Sequence, residues 1–331
     1  MTVKASAAVP PPNDVVRGAL YDVIIVGGGT AGLSAALVLG RARRKVLVCD
    51  NGRPRNAAAE QMHGFISRDG MPPAKFLEIA RAELRRYPSV ELINSTVSLA
   101  KRIQNGFSVD LESGETFSGK RLLLANGVRD TFPPIENIAD FWGRGVFVCP
   151  FCDGWEFRDR KIAVYGKGRE AVDLAQELYG WTKEVAICSQ SEPNTLTAKQ
   201  RRWIDATACK FFEGPIKRLV GDTNGVLVAL ELEDGKRVAC DALFIPAPLR
   251  QCCSIAQRLG CKVDRSQAIV VDKKSQTRVR GCYAAGDAVT TVHQVILAAS
   301  SGARAAIAIS TDLLCAEADL IARRRNGRRP A

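Results

Sequence analysis

The 331-residue chain carries 47 Lys and Arg against 35 Asp and Glu, a net charge of +12, with 46% hydrophobic and 25% charged residues. That balance fits a soluble globular protein long enough for two packed domains and excludes a disordered or fibrous chain. No apolar run approaches the roughly 20 residues needed to span a bilayer, so no membrane contact is expected.

Residues Met1 to Asp14, with one Lys and a Pro10-Pro11-Pro12 stretch, read as part of a flexible extension over 1–17 rather than as a secretion signal. Tyr21 to Val26 then form a short buried-strand pattern running into Gly27-Gly28-Gly29-Thr30-Ala31-Gly32. A helix is expected over Leu33 to Arg41 and a second strand from Lys45 to Cys49, ending in Asp50. This is a dinucleotide-binding βαβ unit. Gly27 permits the tight turn, Gly29 lets the backbone approach a pyrophosphate, and Gly32 allows helix and strand to pack closely. The helix N-terminus, at Thr30 and Ala31, supplies amide donors to phosphates. Asp50, 23 residues after Gly27, is placed to accept hydrogen bonds from a ribose.

Midway along the chain stands Cys149-Pro150-Phe151-Cys152, followed by Asp153. Two intervening residues let such sulfurs reach bonding distance, so the pair can cycle between dithiol and disulfide. Thiol exchange needs a thiolate near neutral pH, and Pro150 suits a first helical turn whose field would favour one. The alternative, half of a zinc site, lacks a second Cys-x-x-Cys or a His pair. The remaining nine cysteines read as incidental thiols, and a chain this long is no secreted disulfide scaffold. A reducing cytoplasm is therefore expected.

The strand–turn–helix pattern recurs. Lys161 to Tyr165 lead into Gly166-Lys167-Gly168-Arg169-Glu170-Ala171, a helix to about Tyr179, and a strand from Glu184 to Cys188. The counterpart of Asp50 is Ser189, neither an acid for a ribose nor an arginine for a 2′-phosphate. Two readings stay open: a second nucleotide site tuned differently, or a Rossmann half kept as scaffold. Further on, Gly286-Asp287 marks another strand-to-helix turn, with a helix expected over about Val292 to Ser310. Such an aspartate can face the ribityl chain of a flavin. The chain closes on Arg323, Arg324, Arg325, Arg328 and Arg329, expected to be a solvated tail; no nucleic-acid motif accompanies it, and no specific nucleic-acid partner is expected.

In this order the motifs resemble the low-molecular-weight thioredoxin reductase family from about Tyr21 to Asp312, with Leu124-Ala125-Asn126-Gly127 standing where the family has Ala-Thr-Gly. The segments Met62-His63-Gly64-Phe65 and Cys152-Asp153-Gly154-Trp155-Glu156 resemble a bacterial thioredoxin-reductase-like branch and the FAD-dependent dithiol oxidases. The resemblance implies an α/β protein with two Rossmann-like, three-layer dinucleotide-binding domains, the second inserted into the first. An FAD domain would span 18–131 and 249–331, and an NAD(P)-type domain carrying the cysteines 132–248, assembled as a homodimer. FAD would meet Gly27, Gly29, Thr30, Ala31, Gly32, Asp50, Asn126, Gly127, Gly286, Asp287, His293 and Gln294; Gly166 and Gly168 would face NAD(P). Cys152 would face the flavin, Cys149 would exchange with a thioredoxin-like protein or a small dithiol, and Asp153 would move the proton.

One departure bears on the electron donor. Where NADPH-using members carry His-Arg-Arg and a further Arg, this chain has Cys188, Ser189, Gln190 and Asn194. A 2′-phosphate would lose charge-assisted bonds, each about 1.5–3 kcal/mol, unless Lys167 or Arg169 compensates. Weak or no NADPH use is therefore expected of an FAD-dependent thiol–disulfide oxidoreductase. The alternatives are an NADPH-dependent thioredoxin reductase and a non-catalytic flavin-binding sensor. His63 and His293 are each open between a proton relay and a packing residue.

Overall fold

A computed structural model describes residues 20–190, 195–207 and 209–325. The 1–17 extension, Asn194, Arg328 and Arg329 lie outside the described residues.

The chain forms two compact units. The first comprises the chain up to Arg55, Ala74–Arg129 and everything from Arg250 onward. Its order is β1 (Leu20–Val26), α1 (Thr30–Arg41), β2 (Val46–Asp50), α2 (Pro73–Leu84), β3 (Val90–Asn94), β4 (Val97–Ile103), β5 (Gly106–Leu111) and β6 (Thr116–Leu124). Strands β1 and β2 are apolar at nearly every position because both sheet faces are covered. Val23 and Ile25 face α1 and α2, while Ile24 and Val26 face the opposite layer with Phe107 and Val109 of β5. The sheet runs β3-β2-β1-β6-β5-β4. The first half of β6 pairs antiparallel with β5, and its second half pairs parallel with β17 (Cys282–Ala284).

Within the same unit, α8 (Val295–Arg325) packs along α1. Contact is close because position 302 is glycine: a Cβ there would overlap the Ala31 carbonyl. Arg44 to Glu317 at 2.6 Å and Arg121 with Tyr283 on Asp312 hold the helix down. The helix starts at Val295, not Val292, since the β-branched Thr290, Thr291 and Val292 favour extended backbone. It also runs past Ser310 to Arg325, so Arg323–Arg325 are helical rather than a loose tail. Between β17 and α8 the chain makes only a 3-10 turn, Gly286–Val289.

The second unit comprises Asn56–Pro73 and Asp130–Leu249. The sequence places 56–73 in the FAD domain; they pack instead in the second unit. The two-stranded sheet of β7 (Val128–Asp130) and β16 (Leu249–Gln251) lies where the chain passes between units. After β7 come α3 (Ile138–Phe141), β8 (Val146–Phe147), α4 (Pro150–Asp153), β9 (Ile162–Gly166), α5 (Arg169–Leu178), β10 (Val185–Ser189), α6 (Ala198–Ala206) and β11 (Lys210–Glu213). The meander β12 (Ile216–Gly221), β13 (Leu227–Leu232) and β14 (Arg237–Ala239) follows, then β15 (Ala242–Phe244), with α7 (Ile255–Arg258) back in the first unit. A parallel sheet β11-β10-β9-β15-β8 has α5 on one face and the β12-β13-β14 meander on the other. Both units are three-layer α/β folds, as the sequence implies. No helix among the described residues is long and apolar enough to cross a membrane.

Candidate functional site

Four motif turns of the first unit meet at one sheet edge, the carboxyl ends of the parallel strands β1, β2, β6 and β17. That edge is where open α/β sheets hold ligands. Gly27 turns sharply at φ +105°, and a Cβ there would overlap the Ala125 carbonyl of the neighbouring strand's exit. Gly29 is different: its backbone is extended, and nothing lies within 4 Å of where a Cβ would stand. It is also the N-cap of α1, and no side chain caps the helix, leaving the first-turn amides of Thr30, Ala31 and Gly32 for an incoming group.

Asp50 ends β2 against Gly28, with Arg81 at 2.8 Å from one carboxylate oxygen and the Gly52 amide donating to the other. Asn126 donates to the Gln251 side chain at 3.2 Å, and Gln251 in turn donates to the Gln267 and Ala288 carbonyls. The Asn126 Oδ1 is buried with no hydrogen-bond partner. Gly127 adopts φ +64° and accepts the Cys252 amide. Gly286 sits against Ala31 and donates to Ser301 Oγ at 3.0 Å, and Asp287 pairs with Arg55 at 3.3 Å. An uncapped helix start, an open space above Gly29 and an orphaned buried acceptor together fit a dinucleotide such as FAD. His293 precedes α8 rather than opening it; its Nε2 contacts the Thr290 carbonyl at 2.8 Å, and Gln294 beside it is half-buried.

The second glycine turn also starts its helix without a side-chain cap, but one of its amides is engaged from β10. Gly168, at φ +46°, donates its amide to the Oγ of Ser189, which is fully buried at the end of β10. The Gln190 amide bonds back to the Gly166 carbonyl, and its side chain donates to the Tyr165 hydroxyl. Lys167 is exposed, and Arg169 reaches the Thr195 carbonyl at 3.3 Å. The two described residues that close β10, Ser189 and Gln190, are uncharged.

Also in this unit, Cys149 and Cys152 form a disulfide with Cα atoms 5.3 Å apart; no other disulfide occurs among the described residues. Cys149 is the extended N-cap of α4 and Pro150 its first residue; the Cys152 and Asp153 amides both donate to the Cys149 carbonyl. The expected helix start is thus present, but α4 is a single turn and its field is correspondingly small. Burial first, then the charge of Glu156, pushes the Asp153 carboxyl up to about 7, against a lowering influence from His63. His63 lies between Asp69 (3.5 Å from Nδ1) and Glu156 (3.6 Å from Nε2). Around the pair, Phe151 is 67% exposed and stacks edge-on against Trp181, and Trp155 is 63% exposed beneath Arg158. Sequence reasoning assigned no role to Glu156. Its three-residue spacing from Asp153 was the available signal, whereas nothing local tied His63 to either.

Comparison with known proteins adds an independent line. The pyridine nucleotide-disulphide oxidoreductase family matches residues 21–303. A thioredoxin reductase of Claviceps purpurea is 32% identical over 304 residues, covering 89% of this chain and 95% of that protein. Among solved structures, HlmI superposes with a TM-score of 0.87 at 33% identity, covering 95% of this chain and 99% of that one. An oxidoreductase from Agrobacterium tumefaciens gives 0.83 at 34% identity, covering 89% and 99%. The chain therefore belongs to the pyridine nucleotide-disulphide oxidoreductase family, as a thioredoxin-reductase-like, FAD-dependent disulfide oxidoreductase.

Proposed function

We propose that Cys149 and Cys152 carry the two-electron exchange with a substrate dithiol, and that pyridine nucleotide is used weakly or not at all. The observation that carries this reading is the disulfide itself, half-buried beside an acid that titrates near neutrality. A substrate thiolate attacks the Cys149 sulfur; the protein S–S bond breaks, and Cys152 leaves as a thiolate. Asp153, protonated below about pH 7, supplies the proton that quenches this leaving sulfur. The substrate's second thiolate then attacks the mixed disulfide and releases Cys149. Substrate dithiol has become disulfide, and the protein disulfide has become a dithiol. Run backwards, the same steps reduce a disulfide partner.

FAD, when bound, supplies the two-electron couple that takes the protein dithiol back to the disulfide. Gly27, Gly29, Thr30, Ala31, Gly32, Asp50, Asn126, Gly127, Gly286 and Asp287 would hold it, with His293 and Gln294 at its margin. Against a pyridine nucleotide stand the Gly168 amide already bonded to Ser189 and the absence of charge on Ser189 and Gln190. The family's name favours a second reading, in which pyridine nucleotide drives reduction of a thioredoxin-like protein.

We further assign the enzyme to a reducing cytosol, as a homodimer acting on a thioredoxin-like protein or a small dithiol. The Cys261 and Cys282 thiols share a hydrogen bond at 4.0 Å without forming a disulfide, which suits a reducing compartment. Ile307, Leu314 and Ile321 project from α8 at seven-residue spacing, each more than half exposed, which suits a face for a second copy. The exchange step is tested by Cys152→Ser: incubated with a dithiol-derived disulfide, it accumulates a mixed disulfide on Cys149, seen by intact mass. Trapping at Cys252 or Cys315, the exposed thiols, with none at Cys149 would defeat the assignment.

A further inference from the structure

The segment Asn56–Pro73 carries one of the chain's two histidines into the second unit. Its backbone is pinned rather than loose. Met62 bridges Met71, the Gly70 amide donates to the Met62 carbonyl at 3.0 Å, and the Gly64 amide donates to the Asp69 carboxylate at 2.8 Å. The result is an imidazole held between two carboxylates, 18% exposed. The Asp69 side is solvent-facing, at 67% exposure, where an ion pair contributes little. The Glu156 side is the consequential one, because Glu156 follows Asp153 by three residues. Glu156 and His63 act on the Asp153 carboxyl with opposite signs, and they are the charged groups that bear on it; Asp69 is the other charge on His63.

Building on the assignment of exchange to Cys149 and Cys152, we propose that His63 is a positioning residue for that reaction. It holds Glu156 and offsets its charge, so that Asp153 both gives and takes the proton of the leaving sulfur. The imidazole lies against the Glu156 carboxylate and opposes the negative field that Glu156 places on Asp153. Without it, Asp153 keeps its proton to higher pH and becomes a poor base. Without Glu156, the carboxyl sheds its proton at lower pH and becomes a poor acid. Residues 56–73 thereby deliver an imidazole that the Cys-x-x-Cys segment cannot supply from its own sequence.

The test measures, on the flavin-loaded protein, the rate at which 2-mercaptoethanol opens the Cys149–Cys152 disulfide. Rates are expressed per thiolate, from pH 5.5 to 9, by acid quench and intact mass. In the parent protein the rate falls as pH rises through the Asp153 transition, and Asp153→Asn removes that transition. His63→Gln moves the midpoint up and Glu156→Gln moves it down, each by roughly one pH unit. Midpoints that stay in place, or move in the same direction in both variants, would overturn the role of His63 and leave it a packing residue. A parent protein whose Cys149–Cys152 bond does not open, while thiol turnover continues, would overturn the exchange assignment itself. The two failures are thus distinguishable.

Discussion

The two glycine turns share the strand–turn–helix pattern and an N-cap without a side-chain bond, yet the groups around them differ. At Gly27–Gly32, Gly29 faces open space and Asn126 presents an unpaired acceptor. At Gly166–Ala171 the Ser189 hydroxyl has taken the Gly168 amide, and Gln190 closes back on Gly166 and Tyr165. A Rossmann turn is thus recognisable by its backbone, while the polar partners of its amides differ from one turn to the other.

The sharpest way to break this contrast is Gly29→Val. The position has extended backbone and no neighbour within 4 Å, so the chain folds normally while the side chain blocks a pyrophosphate. Flavin affinity should drop at least ~100-fold, close to 2.7 kcal/mol, and the purified protein should lose its yellow absorbance while its circular dichroism is unchanged. A variant that stays fully yellow would remove this turn from the account.

Next in size is Asp153→Asn, which probes the disulfide rather than either turn. Losing a positioned acid should slow exchange by roughly 10²-fold. Stability follows with a definite sign. The folded carboxyl titrates near 7, above the unfolded value of about 3.9, so its contribution is full below about pH 4 and is lost as pH rises to 7. Relative to the parent, Asp153→Asn should therefore gain about 2–4 kcal/mol between pH 4 and pH 8, read by urea unfolding at each pH.

A smaller effect is expected from Asn126→Leu, which deletes the orphaned acceptor and the bond to Gln251. Flavin binding should weaken about tenfold, measured by equilibrium release of the chromophore. Smallest is Ser189→Ala, which leaves the Gly168 amide unpaired and should cost about 1 kcal/mol of stability without altering flavin content. A loss of colour on this substitution would mean that the second turn, not the first, serves the flavin.

Much of this was legible in the chain. Gly27–Gly32, Asp50 and Gly286-Asp287 are marked by strand-and-turn pattern, Asn126-Gly127 only by the family resemblance, and the fold brings them to one sheet edge. The strand limits moved by about one residue, as at β10, which includes Ser189. Less visible were features set by distant partners. The bond from Gly168 to Ser189 depends on a register between β9 and β10 that no local rule supplies. The migration of 56–73 into the other unit has no compositional mark, so His63 could not be tied to Glu156. The arginine cluster reads as a tail in sequence, yet arginine is a good helix former and no glycine or proline stands between Ser310 and Gly327, so α8 continues to Arg325.

The central claim is that electron pairs enter this flavoprotein through Cys149 and Cys152 and scarcely at all through the second turn. Anaerobic stopped-flow on one sample, mixing it separately with a dithiol and with NADPH or NADH, tests this most directly. The account predicts rapid bleaching of the flavin by the dithiol, abolished by Cys149→Ser, and slow or absent bleaching by either nucleotide at matched concentration. Rapid bleaching by a nucleotide, with none by the dithiol, would contradict it.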